Sequence, residues 1–301
     1  MIKQIEDLTL IKSLGSGDFG EVFLSTKKGR NKYFAAKKID RITADQTEII
    51  KYLKTELSIL KKLNHPNIVK LEEVKATKDN YYIVMEYING GGIVKCLEKY
   101  MNKYGKPFSE EIVQYLMRQI VDAIKYIHSL NIIHRVIKSK NIMIKFENEI
   151  DKLNLNMMRA KVKIIDFDFS CYTKNGLAYT IVGSPMYMDP LILNALYDNK
   201  PTQGYDEKID IWSLGVLCYE LFVGHSVFNA ESLDELVKMV ENGAYNIPIN
   251  LSKEVVSFLN GMLQYEAKNR YSAEELANHP FLKKRVQDFQ RFDLRKDQKI
   301  I

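Results

Sequence analysis

The strongest constraint on the fold of this chain is a change in hydrophobic pattern near residues 89–92. Before it, short runs rich in β-branched and aromatic residues alternate with glycine-containing turns, which predicts strands. After it, apolar residues recur at three- and four-residue steps, which predicts helices. The strands are predicted at 8–14, 21–25, 32–39, 69–74 and 81–85. The helices are predicted at 49–63, 109–127, 207–222, 232–241, 253–263 and 272–277.

The pattern therefore predicts a small β-rich unit containing one major helix, followed by a larger helical unit. We interpret the run Asn89-Gly90-Gly91-Gly92 between them as a flexible connector. Clefts between such units are favoured ligand sites.

Composition narrows the classes of function. Of the 301 residues 46% are hydrophobic and 27% charged, so the chain can bury a normal core. The net charge of +6 is spread along the chain with no compact basic block, which favours a solvated surface and predicts no nucleic-acid partner. The most apolar stretch, 209–223, contains three polar residues and is shorter than the ~20 residues that span a bilayer, so it is predicted to be a buried helix.

The cysteines and the N-terminus predict a cytoplasmic protein. Cys96, Cys171 and Cys218 are odd in number and far apart, which is typical of a reducing compartment and argues against a zinc site. The first ten residues carry Glu6 and Asp7 and lack the apolar core of a signal peptide.

A glycine-rich segment, Gly15-Ser16-Gly17-Asp18-Phe19-Gly20-Glu21-Val22, lies between two predicted strands. Glycines let backbone amides approach a polyphosphate, although such a segment is often only a hairpin. No helix follows it, which argues against a dinucleotide site of the Rossmann type.

A lysine on the next strand could hold phosphate as a point charge. Side chains alternate along a strand, so Ala35 with Lys37 and Ala36 with Lys38 are both possible pairs in the cleft. We favour Lys37. Its carboxylate partner is predicted to be Glu56 on the following helix rather than Glu48.

Three further motif segments follow along the chain: 133–141 (IHRVIKSKN), 165–168 (IDFD) and 183–190 (GSPMYMDP). Together with the glycine loop and Lys37, they resemble the motif set of the protein kinases. The resemblance covers roughly residues 8 to 284. Within the family the chain is most similar to the ULK-type autophagy-initiating kinases, through 183–188 and the extended linker 145–161.

The resemblance implies an α+β bilobal protein-kinase fold of the serine/threonine type. Its parts would be an N-lobe at 1–86, a hinge at 87–92, a C-lobe at 93–284 and a basic C-terminal tail at 285–301. It also implies ATP and Mg²⁺ as cofactors, and a protein substrate or protein partner.

The same resemblance assigns roles to individual residues. Asn141 and Asp166 would hold magnesium, Lys37 would pair with Glu56, and Lys138 would contact the γ-phosphate. Leu60, Leu71, His134 and Phe167 resemble the stacked column of an active-like kinase. The nucleotide would contact Leu14, Gly15, Gly17, Gly20, Val22, Ala35, Lys37, Glu86, Ile88 and Met143, with Met85 as gatekeeper.

The chain departs from the family pattern at three motifs. Val136 stands where the catalytic aspartate is expected, and valine cannot accept a proton. Asp168 replaces a glycine, and either helps to hold metal or raises a neighbouring pKa. Leu191 replaces a glutamate that normally pairs with a late arginine, here Arg270. Either Asp189 substitutes for that glutamate, or Arg270 has moved to solvent.

These departures predict a nucleotide-binding pseudokinase that acts as an allosteric or scaffolding partner. The alternative is a slow serine/threonine kinase that uses the retained Lys37, Lys138, Asn141 and Asp166. Three separate departures favour a natural pseudokinase over an engineered Val136, a point that the sequence leaves open.

Overall fold

A computed structural model describes residues 3–173, 175–243, 245–248 and 250–284. The tail predicted at 285–301 lies outside the described residues.

The N-terminal lobe is a curled antiparallel sheet with the strand order β1-β2-β3-β4-β6-β5. The five predicted strands lie within two residues of their predicted bounds, and the strand β1 was not predicted. The elements are β1 Lys3–Ile5, β2 Leu8–Ser16, β3 Glu21–Lys27, β4 Tyr33–Asp40, α1 Arg41–Gln46, α2 Ile49–Lys62, β5 Leu71–Ala76 and β6 Asn80–Glu86.

The two faces of β4 have different roles: one packs in the core of the lobe and the other carries a candidate site residue. Phe34 and Ala36 are buried in the small core of the sheet, and Ile39 packs with Leu53 of α2. Alternation along the strand places Lys37 on the other face from Ala36. The strand therefore presents a buried lysine to the space beneath the sheet.

The prediction of a flexible connector at 89–92 is wrong. Gly91–Gly92 forms a short strand, β7, that pairs with the strand β9, Ile142–Lys145. Asn89 exchanges two hydrogen bonds with the backbone of Phe146, at 3.0 and 2.9 Å. A Cβ on Gly90 would overlap the carbonyl oxygen of Ile144. At Gly90, glycine therefore permits close packing of two backbones rather than free movement.

The C-terminal lobe is mostly helical. Its helix α7 is buried along nearly its whole length, and no helix in the described residues is long and apolar enough to cross a membrane. The elements after β7 are α3 Ile93–Tyr104, α4 Glu110–Ser129, β8 Ile132–Ile133, β9 Ile142–Lys145, α5 Glu149–Leu153, β10 Lys161–Ile164, β11 Cys171–Tyr172, α6 Pro190–Tyr197, α7 Lys208–Val223, α8 Leu233–Glu241, α9 Lys253–Met262, α10 Ala273–Asn278 and α11 Pro280–Lys283.

The α+β fold with a β-rich N-lobe and a helical C-lobe is confirmed. The short helices α1 and α5 escaped prediction because six and five residues are too few for a periodic stripe, and α3, α6 and α11 were not predicted either. All three cysteines are free, and Cys96 and Cys218 are buried.

Candidate functional site

A cleft of about 520 Å³ opens between the two lobes, a volume within the usual range for small-molecule sites. It gathers residues that are far apart in sequence. The predicted site residues that line it are Leu14, Gly15, Gly17, Val22, Ala35, Lys37, Glu56, Glu86, Ile88, Lys138, Asn141, Met143 and Asp166, together with Met85.

Gly20 does not line this cleft. A Cβ at this position would overlap the backbone carbonyl of Lys38 on the neighbouring strand. Glycine at residue 20 therefore allows close packing within the sheet.

We expect Gly20→Ala to lower the free energy of unfolding by about 1–3 kcal/mol, because the strand backbone must shift to admit the methyl group. Urea denaturation of both proteins measures the change. Gly17→Ala is the matched control, since its Cβ would meet its nearest atom at an ordinary 3.8 Å. An equal loss in both variants would contradict the packing argument.

Lys37 is the lysine that points into the cleft. Its side chain is 6% exposed, and its Nζ lies 3.6 Å from Oε2 of Glu56. Lys38 is only half-buried, and Glu48 pairs with Lys51 on the surface. The geometry thus selects Lys37 with Glu56 from the alternatives that strand alternation left open.

A second carboxylate reaches the same lysine. Nζ of Lys37 donates a hydrogen bond to Oδ1 of Asp168, which is 1% exposed. The remaining oxygen, Oδ2 of Asp168, has no hydrogen-bond partner among the described residues. The sequence predicts Asp168 beside the metal site, whereas its contact with Lys37 was not predicted.

Burial and charge act in opposite directions on this cluster. Burial alone would lower the pKa of Lys37, but Glu56 and Asp168 hold it above its ordinary value. Burial raises the pKa of Asp168 to about 7 despite the lysine beside it. Burial and repulsion from Asp168 together raise the pKa of Asp166. Three carboxylates, those of Glu56, Asp166 and Asp168, therefore act on the single ammonium group of Lys37.

The other end of the cleft offers a backbone amide. No hydrogen bond within the described residues uses the amide of Ile88, so it is available to a ligand. The side chain of Glu86 points away and forms ion pairs with Lys145 at 3.0 Å and Lys163 at 2.5 Å. Its amide donates to the carbonyl of Lys70. The segment that would face an adenine is thus fixed to strands of both lobes.

Several hydrogen bonds hold the backbone of the loop that carries Val136. The amides of His134 and Arg135 donate to the buried carboxylate of Asp210 at 2.9 and 2.8 Å. Arg135 adopts φ 69°, a conformation that surrounding contacts must hold in place. The side-chain amide of Asn141 donates to the carbonyl of Val136 at 2.9 Å. Val136 itself is 5% exposed and brings no polar atom on its side chain.

Lys138 lies on the same loop and donates to Oγ of Ser184 at 3.2 Å. This hydrogen bond joins the loop to the motif segment 183–190. The predicted site residue is therefore oriented by a contact within the chain.

Of the four residues in the predicted column, His134 and Phe167 are in ring contact. The rings of His134 and Phe167 are 4.8 Å apart, and both residues are fully buried. Leu60 belongs to the same core as Phe167, and Leu71 packs against it. Burial lowers the pKa of His134, which favours a neutral ring in this apolar stack.

Asp189 takes the place of the missing glutamate. It forms a buried ion pair with Arg270, and both residues are 2% exposed. The guanidinium also donates to the carbonyls of Gln264 at 2.7 Å and Tyr265 at 2.9 Å. Leu191, at the position of the family's glutamate, is 42% exposed. Of the two alternatives from the sequence, Asp189 as substitute is the one observed.

An aromatic cluster of Phe19, Tyr52 and Phe169 was not anticipated. Its ring centroids are 5.2 to 5.6 Å apart. Phe19 belongs to the glycine loop, Tyr52 to α2 and Phe169 to the segment after Asp168. Each residue looks unremarkable in sequence, and only the tertiary fold brings the three rings together.

The residues fit the metal that the resemblance implies. Asp166 offers a carboxylate and Asn141 a carbonyl oxygen, the hard ligands that Mg²⁺ prefers alongside substrate phosphates. Among the described residues no group of three histidine, cysteine or acidic side chains could hold a metal by itself. A cation here would therefore complete its shell with oxygens from outside the chain, from water and from phosphate.

Comparison with known proteins gives a consistent result. Residues 8–282 match the model of the protein kinase domain. A probable myosin light chain kinase of Dictyostelium discoideum is 32% identical over 92% of this chain and 84% of its own length. Myosin light chain kinase A of the same organism is 34% identical over 90% and 86%. The serine/threonine-protein kinase atg1 of that organism is 30% identical over 93% of this chain and 40% of its own length.

Proposed function

The chain belongs to the protein kinase family, in its serine/threonine branch, and from this premise we propose that it binds Mg·ATP and acts mainly as an allosteric or scaffolding pseudokinase. The observation that carries the proposal is Val136, a buried apolar side chain at the position of the catalytic base. Loss of a general base typically slows a reaction ~10²–10⁴-fold.

Nucleotide binding is supported by the cleft. The available amide of Ile88, the buried Lys37 and the pair Asn141 and Asp166 all line this cleft, and they are the kinds of group that adenine, phosphates and magnesium would require. Lys37 and Asn141 would contact or orient the nucleotide without any need for a proton acceptor at residue 136. Binding and catalysis can therefore be separated in this chain.

A protein partner is proposed on the same reasoning. A kinase domain that binds a nucleotide can change its conformation in response even when phosphoryl transfer is inefficient. The reason is that a ligand that prefers one conformation shifts the population toward that conformation. The hydrogen bond between Lys138, which lines the cleft, and Ser184 links the cleft to the segment 183–190, through which we propose that the state of the cleft reaches a protein partner.

A slow serine/threonine kinase is the second candidate, and one observation favours it. The Lys37–Glu56 pair and the packed rings of His134 and Phe167 are contacts that the family resemblance associates with an active kinase. Transfer depends mainly on positioning and electrostatics. The residual activity would then come from those groups.

The first test is a thermal-shift titration of the whole chain with ATP, with and without magnesium. At a concentration of 100 times Kd, a ligand stabilises the folded state by about 2.7 kcal/mol. For a domain of this size that corresponds to a rise in Tm of several degrees, at roughly 2–4 °C per kcal/mol. We expect this rise with magnesium present.

Lys37→Ala provides the control. The variant keeps the adenine end of the cleft, so it should retain stabilisation by adenosine and lose most of that by Mg·ATP. If millimolar Mg·ATP left the Tm of the parent protein unchanged, the nucleotide-binding proposal would be rejected. The chain would then be treated as a pure interaction module.

A further inference from the structure

Lys37 meets a charged side chain that the family motif does not supply. At residue 168 the family has glycine, whereas here a carboxylate accepts the hydrogen bond from Nζ of Lys37. Glu56, the family partner of the lysine, lies at 3.6 Å. The ammonium group that would anchor phosphate is thus already engaged on two sides.

The backbone around Asp168 is fixed, so this contact is built into the fold. On one side, Phe167 stacks against His134 and its carbonyl accepts the amide of Ser170 at 3.0 Å. On the other side, Phe169 packs against Phe19 and Tyr52, and its carbonyl accepts a hydrogen bond from Nε of Arg135. Asp168 cannot leave Lys37 by a free movement of its backbone.

The glycine loop lies close to the ammonium group of Lys37. The ring of Phe19 lies 5.8 Å from Nζ of Lys37. An anion that approaches the lysine therefore meets a buried carboxylate and an aromatic ring in a region shielded from water. Like charges repel strongly where the effective dielectric is low.

We propose that Asp168 is an internal competitor of nucleotide phosphates for Lys37, and that it makes the cleft select ligands by their negative charge. This inference rests on the proposed nucleotide site and adds its selectivity. Neutral adenine ligands use only the hinge end and escape the competition. Polyphosphates must displace Asp168 from the lysine or share the lysine with it.

The test compares two ligands in two proteins by calorimetry, without divalent cations. Asp168→Asn keeps the size of the side chain and removes its charge. We expect the affinity for ATP to rise about tenfold or more in this variant, while the affinity for adenosine stays within about twofold. The ratio of the two affinities is the measured quantity, so a general change in stability does not imitate the effect.

Glu56→Gln is the contrasting variant. It neutralises the family partner of the lysine at 3.6 Å and leaves the hydrogen bond between Lys37 and Asp168 in place, so the gain in ATP affinity should be smaller than in Asp168→Asn. Asp168→Gly, which restores the family residue, should reproduce the gain of Asp168→Asn if the asparagine variant folds poorly.

Two results would overturn the inference. An unchanged ratio in both residue-168 variants would show that Asp168 does not compete with phosphate. A fall in ATP affinity in those variants would show that the carboxylate assists binding instead. Failure of adenosine to bind to any of the proteins, the parent included, would reject the nucleotide site itself, a separate outcome.

Discussion

Val136→Asp is expected to raise the rate of phosphoryl transfer by about 10²–10⁴-fold, the usual contribution of a general base. Autophosphorylation and transfer to a generic serine-containing peptide, followed with labelled ATP and magnesium, provide the measurement. This is the largest change that a single substitution in the chain should produce.

The physical reason is that the surroundings of residue 136 already have the required shape. Asp210 holds the two preceding amides, and Asn141 holds the carbonyl of residue 136 itself. Lys138 is directed toward the segment of Ser184. A carboxylate introduced there would join an ordered loop rather than have to create one.

The matched control is Val136→Asn, which has the shape of aspartate and cannot act as a base. Only the aspartate variant should gain activity, and Lys37→Ala should abolish that gain. Equal rates for the asparagine and aspartate variants would mean that the missing base does not limit transfer. Asp168 beside Lys37 would then be the next position to change.

The second large effect concerns stability. Asp189→Ala is expected to lower the free energy of unfolding by about 3–5 kcal/mol, because it leaves the buried guanidinium of Arg270 without its counter-charge. Urea denaturation, monitored by circular dichroism, gives the difference. Asp189→Asn keeps the acceptor that caps α6 at the amide of Leu191 and isolates the charge effect.

Leu191 provides two comparisons for the same experiment. Leu191→Ala changes an exposed side chain and should stay within about 0.5 kcal/mol of the parent. Adding Leu191→Glu to Asp189→Ala restores the family's acidic position and should recover part of the loss. A loss below about 1 kcal/mol in Asp189→Ala would show that Arg270 is stabilised mainly by its carbonyl contacts and its ring contact with Trp212.

The sequence predicted the helices and strands more accurately than the contacts of the residues that depart from the family pattern. Strand alternation limited the cleft lysine to Lys37 or Lys38, and tertiary packing selected Lys37. The apolar stripe of α2 placed Glu56 correctly because helical periodicity is a local property. The helices α1 and α5 were missed because they are too short for a periodic stripe, and the pairing of Gly91–Gly92 was missed because it depends on a strand that is distant in sequence.

The three departures from the family pattern show the same limit. The absence of a base at Val136 follows from residue type alone. The partner of Arg270 could be narrowed to two alternatives, and the distinction between them needed the fold. The contact of Asp168 with Lys37 joins residues 131 positions apart, and a side-chain direction of this kind has no sequence signal.

The cluster of Phe19, Tyr52 and Phe169 makes the glycine loop, α2 and the segment after Asp168 neighbours of one another. A ligand that lifts the loop alters the packing of a ring on α2, the helix that carries Glu56. Thermodynamic linkage makes such an effect reciprocal. A protein that binds α2 would therefore change the affinity of the cleft for its ligand. The ligand in the cleft would change the affinity for that protein by the same factor.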